Sequence, residues 1–198
     1  MNLIGNNCVS SFLYKDNGLE FSTPFIWGGF DFVDFIYLLN NYDNINFNNI
    51  SFSFEHRFDN KELSVLCNID NKINYHFSHY CYDENKNIPD KIKGRVFYKD
   101  IIKYTKEKYL TRLKRVKENP VFLFSFNLID KNDKKYEEYL NRLLEIKDKK
   151  LIILIHESIS IDKKYDKNIQ IIKIEDDKLN TLYANIVSKE VLKRNIRI

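Results

Sequence analysis

Cys8 is the residue whose type and place in the chain point first to chemistry. It stands where a short apolar segment, Leu3-Ile4-Gly5, hands over through Asn6-Asn7 to an amphipathic one. A thiol at a helix N-terminus faces unpaired amides and the positive end of the helix dipole, which favour the thiolate, the reactive form. The same amides can hold an oxyanion. Gly5 permits close backbone approach, and Asn7 brings a side-chain amide as an oxyanion donor or a positioning group. The competing reading is a small cysteine packed under a helix, since cysteine is among the most buried residue types.

A thiol nucleophile needs a base, and the chain has four histidines. His56 has no evident partner. His76 and His79 are three apart, which on a strand turns them to opposite faces and makes a poor chelate, so no metal is expected. His79 is followed by Asp83 and Glu84, either of which could orient an imidazole. His156, followed by Glu157, ends an apolar run and is the rival base. Arg112 and Arg115 lie three apart in a helical stretch and suit a carboxylate or phosphate; an Arg covering the core edge fits equally well. Trp27, beside Gly28-Gly29, would line a pocket or pack in the core. With five glycines in all, the chain has no phosphate-binding loop, no Gly-x-Ser-x-Gly and no dinucleotide fingerprint.

The elements that must position these residues follow from periodicity. Residues 2–7 read as a first strand and residues 8–17 as a helix closed by Gly18. Phe25 to Gly29 reads as an apolar loop with a flexible hinge. Asp31 can cap a helix whose stripe is Phe32, Phe35, Ile36 and Leu39. From Ile50 to His79 the period becomes two: Ile50, Phe52 and Phe54, then Leu63, Val65 and Cys67, then Ile73, Tyr75 and Phe77. With Asp59-Asn60 and Asp70-Asn71 as turns, this predicts an antiparallel meander. Residues 81–95 read as a loop and 99–118 as a long helix with stripe Ile102, Tyr109, Leu113 and Val116. Apolar strands are predicted at 121–126, 151–155 and 169–174, with helices at 133–147 and 178–194. Continuous apolar strands alternating with helices imply an α/β fold, a three-layer, mainly parallel sheet with helices on both faces and the 50–79 meander as an excursion. The expectation is one domain over residues 1–198.

Apolar residues make up 43% of the chain and aromatics 15%, enough for a packed core. No run approaches the ~20 apolar residues of a membrane helix, and residues 1–5 lack a basic-then-apolar signal pattern. Three cysteines without paired spacing suit a reducing compartment. The expectation is therefore a soluble, cytoplasmic protein. A formal charge of +4, with acids interspersed among the lysines, does not suggest a nucleic-acid partner.

The order of several short motifs resembles a bacterial family of exopolysaccharide-biosynthesis proteins, the DUF1919 group. These are Ile4-Gly5-Asn6-Asn7-Cys8, Tyr14-Lys15-Asp16-Asn17-Gly18-Leu19, Ser22-Thr23-Pro24-Phe25, Asp31-Phe32-Val33-Asp34-Phe35, Phe77-Ser78-His79-Tyr80 and Arg112-Leu113-Lys114-Arg115-Val116. A related group of papain-like cysteine peptidases, DUF1796, has a similar start, but its Pro-Phe-Asp-Trp is Pro24-Phe25-Ile26-Trp27 here, without the Asp. The resemblance covers about residues 2–127. It implies an α/β fold, a surface-polysaccharide context with peripheral association to assembly machinery, and Cys8–His79 as nucleophile and base. The chemistry would be acyl transfer to a glycan or small-molecule acceptor, with acyl-CoA as co-substrate and no covalently bound cofactor. The rivals are a papain-like hydrolase, and a non-catalytic scaffold whose aromatic 21–37 segment binds glycan.

Overall fold

A computed structural model describes residues 2–16, 18, 20–57, 62–77, 95–116 and 119–175. They form an α/β structure whose residues gather into two compact units, Met1–Phe21 with Lys117–Ile198, and Ser22–Val116. The predicted 178–194 helix, the 81–95 loop and the Asp59-Asn60 turn lie outside the described residues, as do His79, Cys81, Asp83 and Glu84.

The first unit is built on a parallel sheet in the order β1 (Leu3–Gly5), β5 (Val121–Ser125), β6 (Leu151–His156), β7 (Ile169–Ile174). All six residues of β6 are buried, as a strand covered on both faces requires. Helix α1 (Val9–Asp16) follows β1. Its Tyr14 hydroxyl accepts from Leu3 N at 2.8 Å, satisfying an edge-strand amide that β5 does not reach. Gly18 closes α1 in the left-handed region at φ 62°, its N–H reaching Lys15 O at 3.1 Å. Helix α4 (Lys134–Leu144) is capped by the Asp133 carboxylate, which accepts from Lys135 N. It buries Tyr136, Leu140, Leu143 and Leu144, the stripe its periodicity predicts.

The second unit holds the antiparallel meander β2 (Ile50–Arg57), β3 (Glu62–Ile69), β4 (Ile73–Phe77). The register places Phe52 beside Cys67 and Cys67 beside Tyr75, so the alternating apolar residues share one face. Asp70 and Asn71 both sit at φ 56°, where short polar side chains are tolerated in a tight turn. Phe25, Phe30, Tyr75 and Phe77 stack edge to face on that face, with ring centroids 4.6–5.2 Å apart along the chain of contacts. Helix α2 (Phe32–Asn41) adds Phe35, Ile36, Leu38 and Leu39.

Three local expectations are corrected. Helix α3 (Arg95–Leu113) starts and ends earlier than predicted. The run after Leu113 is charged apart from Val116 and closes in three-residue turns at Arg115 and Val116. Its buried line is Ile101, Thr105 and Tyr109, four apart, with Ile102 to one side and only half-buried. Residues 25–29 are no hinge. Gly29 and His76 exchange both backbone hydrogen bonds at 2.9 Å, so the segment lies as a short partner along β4. The aromatic 21–37 segment is largely core, since Phe25, Phe30, Phe32 and Phe35 are buried. Those rings leave little exposed surface to stack on a glycan.

Candidate functional site

Cys8 ends the turn that leads from β1 into α1. Its carbonyl accepts from Phe12 N at 3.2 Å, the first α-helical bond, which makes Cys8 the N-cap residue. The side chain is half-buried. Each residue before it has a structural task. An added Cβ on Gly5 would lie 2.6 Å from Ser10 Oγ, so only glycine lets the helix start so close to the strand. The Asn6 amide grips the backbone of β5, its Oδ1 accepting from Ser125 N at 2.8 Å and its Nδ2 donating to Ser125 O at 3.2 Å. Asn7 Oδ1 accepts from Val9 N at 3.0 Å, and its Nδ2 donates to Asn127 Oδ1 at 2.8 Å. Asn7 is thus a positioning residue bonded through both ends of its amide, and Cys8 sits on a turn fastened at both sides.

This turn stands at the carboxyl ends of the strands, where open α/β sheets gather ligands. Ser125, Asn127 and His156 occupy the same end on β5 and β6 and are all buried. His156 donates its backbone N–H to Tyr136 Oη at 3.2 Å, and its ring lies 5.7 Å from that of Tyr136. Glu157 is exposed and continues the β6–β7 pairing through its N–H. Ser125 Oγ and Asn127 Nδ2 are buried and have no hydrogen-bond partner among the described residues. Two concavities of this unit, of about 410 and 560 Å³, lie along α4 and residues 158–166, away from Cys8.

Trp27, Arg112 and Arg115 belong to the second unit. Trp27 is half-buried at φ 61°, an uncommon region for a bulky residue, held there by the Gly28-Gly29 contact with β4. Arg112 is half-buried in the last turn of α3, and Arg115 lies exposed beyond it.

No known family model matches this chain, and no curated protein does.

One polar cluster in the second unit was not anticipated. Glu55, Ser64, Asn74 and His76 lie on the face of the meander opposite the aromatic core. The small Ser64 in the middle strand leaves room for Glu55 to reach across, and its Oγ donates to Glu55 Oε1 at 3.0 Å. The same carboxylate oxygen meets His76 Nδ1. His76 Nε2, at the other end of a ring only 7% exposed, has no hydrogen-bond partner among the described residues and lies 3.7 Å from Asp31 Oδ2. Asp31 holds the N-cap of α2 as predicted, but without a side-chain cap bond; its carboxylate faces the histidine instead. Among the described residues no group of three His, Cys, Asp or Glu side chains is placed to hold a metal ion.

Beside this cluster, burial holds the Asp34 carboxyl above its ordinary value, and the nearby Asp31 charge adds to this, while Asn74 and His76 oppose it. A carboxyl raised in the folded state binds its proton more tightly there, so it favours folding at low pH and disfavours it once pH rises through the folded value. Asp34→Asn is accordingly expected to raise the melting temperature at pH 7, with the gain fading as pH falls toward ~4. Melts of both proteins across that range check this, and a gain that did not depend on pH would rule the ionisation out as its cause.

Proposed function

We propose that this chain carries out thiol-dependent acyl transfer with Cys8 as the nucleophile. The observation that carries the reading is the placement of a half-exposed thiol at the N-cap of α1, on a turn clamped by Asn6 and Asn7 at the carboxyl end of a parallel sheet. The resemblance of residues 2–127 to exopolysaccharide-biosynthesis proteins supplies the rest: a sugar hydroxyl or amine as acceptor, acyl-CoA as donor, and His79 as base. His156 is the alternative base in the same sheet. Because β5 lies between β1 and β6, strand spacing sets those two strand ends ~10 Å apart. At that separation His156 acts on the thiol through an intervening group or water.

The test is the alkylation rate of each cysteine in the folded protein against pH, followed by peptide mass spectrometry. Cys8 is expected to react fast, with a midpoint below the ~8.5 of a free thiol. Cys67 is fully buried, and burial pushes its thiol far up, so it is expected to stay unmodified. If Cys8 is protected, or titrates like a free thiol, covalent catalysis at this residue is wrong.

A further inference from the structure

The geometry points to the side-chain amide of Asn127 as the donor that holds the acyl carbonyl oxygen during attack by Cys8, an inference that rests on the reading of Cys8 as nucleophile. It starts from an orientation that can be derived rather than assumed. The Val9 N–H can only donate, so the Asn7 atom it meets at 3.0 Å must be Oδ1. Asn7 Nδ2 then points the other way and must donate, so the Asn127 atom facing it at 2.8 Å is Oδ1. Asn127 Nδ2 is therefore the atom left over, and no described group accepts from it although Asn127 is only 6% exposed. A buried N–H without an acceptor is costly, and native structures keep few of them. One amide away from the residue before Cys8, this donor is pre-set by a relay that begins at the helix backbone.

An oxyanion is the acceptor that makes such a donor useful. When the Cys8 thiolate adds to a thioester such as acyl-CoA, or to an ester probe, sulfur bonds to the carbonyl carbon and the π pair moves onto oxygen, where the Asn127 N–H meets it. As that pair returns, the bond to the leaving CoA thiolate, or to the phenoxide of the probe, breaks and the S-acyl enzyme remains. Removing one side-chain donor of this kind lowers a rate by about 10²–10³-fold when the donor is fully formed.

Two probes separate this role from a structural one. p-Nitrophenyl acetate acylates Cys8 through an oxyanion, while iodoacetamide alkylates it by displacement at a saturated carbon, with no oxyanion. Asn127→Asp keeps an oxygen for Asn7 Nδ2 but removes the donor, and Asn127→Ala removes both. In each variant the ratio of acylation to alkylation rate at Cys8 is expected to fall at least tenfold, with alkylation serving as the internal measure of thiolate and access. A ratio unchanged in Asn127→Asp overturns the assignment while leaving Cys8 as nucleophile. Wild-type Cys8 reacting with both probes no faster than a free thiol overturns the nucleophile reading, and this inference with it.

Discussion

Gly28→Ala is expected to destabilise the Ser22–Val116 unit by about 3 kcal/mol or more, at the upper end of overpacking effects. An ideal Cβ at Gly28 would stand 2.0 Å from the His76 carbonyl oxygen, and 2.9 Å from both the His76 carbonyl carbon and Tyr75 Cε1. That oxygen cannot step aside, because it accepts from Gly29 N and belongs to β4, which pairs with β3 on its other edge. Relief requires parting the 28–29 segment from the strand and breaking both Gly29–His76 bonds. For a chain of this size, 3 kcal/mol corresponds to roughly a 6–12 °C fall in melting temperature. Gly18→Ala is the control: Gly18 has the left-handed φ of 62° but nothing within 4 Å of its Cβ position, so only backbone strain of about 1 kcal/mol is expected. Thermal melts of the two variants decide the matter, and a Gly28→Ala protein no less stable than Gly18→Ala would contradict the close packing.

Most of the fold is legible wherever a periodic pattern speaks for itself. The alternation through Phe52, Cys67 and Tyr75 names one face of one sheet, and the register bears it out residue by residue. The run 151–155 is apolar without alternation and lies in the fully buried β6, 121–126 is apolar but for Ser125, and 169–174 carries exposed Gln170 and Lys173; all three join the parallel sheet. In α4 the stripe of Tyr136, Leu140, Leu143 and Leu144 needs nothing beyond local spacing. The misreadings fall where a neighbour far along the chain decides. Thr105, fully buried on α3, carries no hydrophobic signal, so periodicity selected Ile102 in place of its buried neighbour Ile101. Gly28-Gly29 looks like a hinge until β4 is placed against it.

The candidate sites divide the same way. The place of Cys8 at a strand-to-helix turn is a local property, written in Gly5, two asparagines and the apolar residues that follow. What the asparagines do is not local: Asn6 holds Ser125 and Asn7 holds Asn127, partners more than a hundred residues away whose identity depends on β1 lying next to β5. His76 fails for a similar reason. Taken with His79 it is a poor chelate and invites dismissal. Only the three-strand register, together with the small Ser64 between them, brings Glu55 to its Nδ1. A carboxylate two residues from the end of β2 and a histidine one residue from the end of β4 were the available signal, readable once both hairpin registers are counted out.

His76→Leu is expected to cost the same unit about 3 kcal/mol, because it strips the partner from a largely covered carboxylate. Glu55 is 25% exposed on its side chain, which softens the loss but does not remove it, and the Ser64 hydroxyl still donates to Glu55 Oε1. Glu55→Gln should cost much less, about 1 kcal/mol, since the amide oxygen still accepts from both Ser64 and His76. The decisive variant is the double change, Glu55→Leu with His76→Leu. Replacing both partners removes the carboxylate together with its imidazole, so the double variant is expected to be at least 1 kcal/mol more stable than the sum of the two single leucine changes, read from urea denaturation. Additivity within about 0.5 kcal/mol would leave Glu55 as a solvated carboxylate and His76 as a ring that merely fills space. Coupling has a chemical consequence as well as an energetic one. An imidazole held at Nδ1 by Glu55 has its ring orientation set, with Nε2 turned toward the Asp31 carboxylate 3.7 Å away at the entry of α2. A ring oriented by carboxylates at both of its nitrogens is set apart from a residue chosen for size.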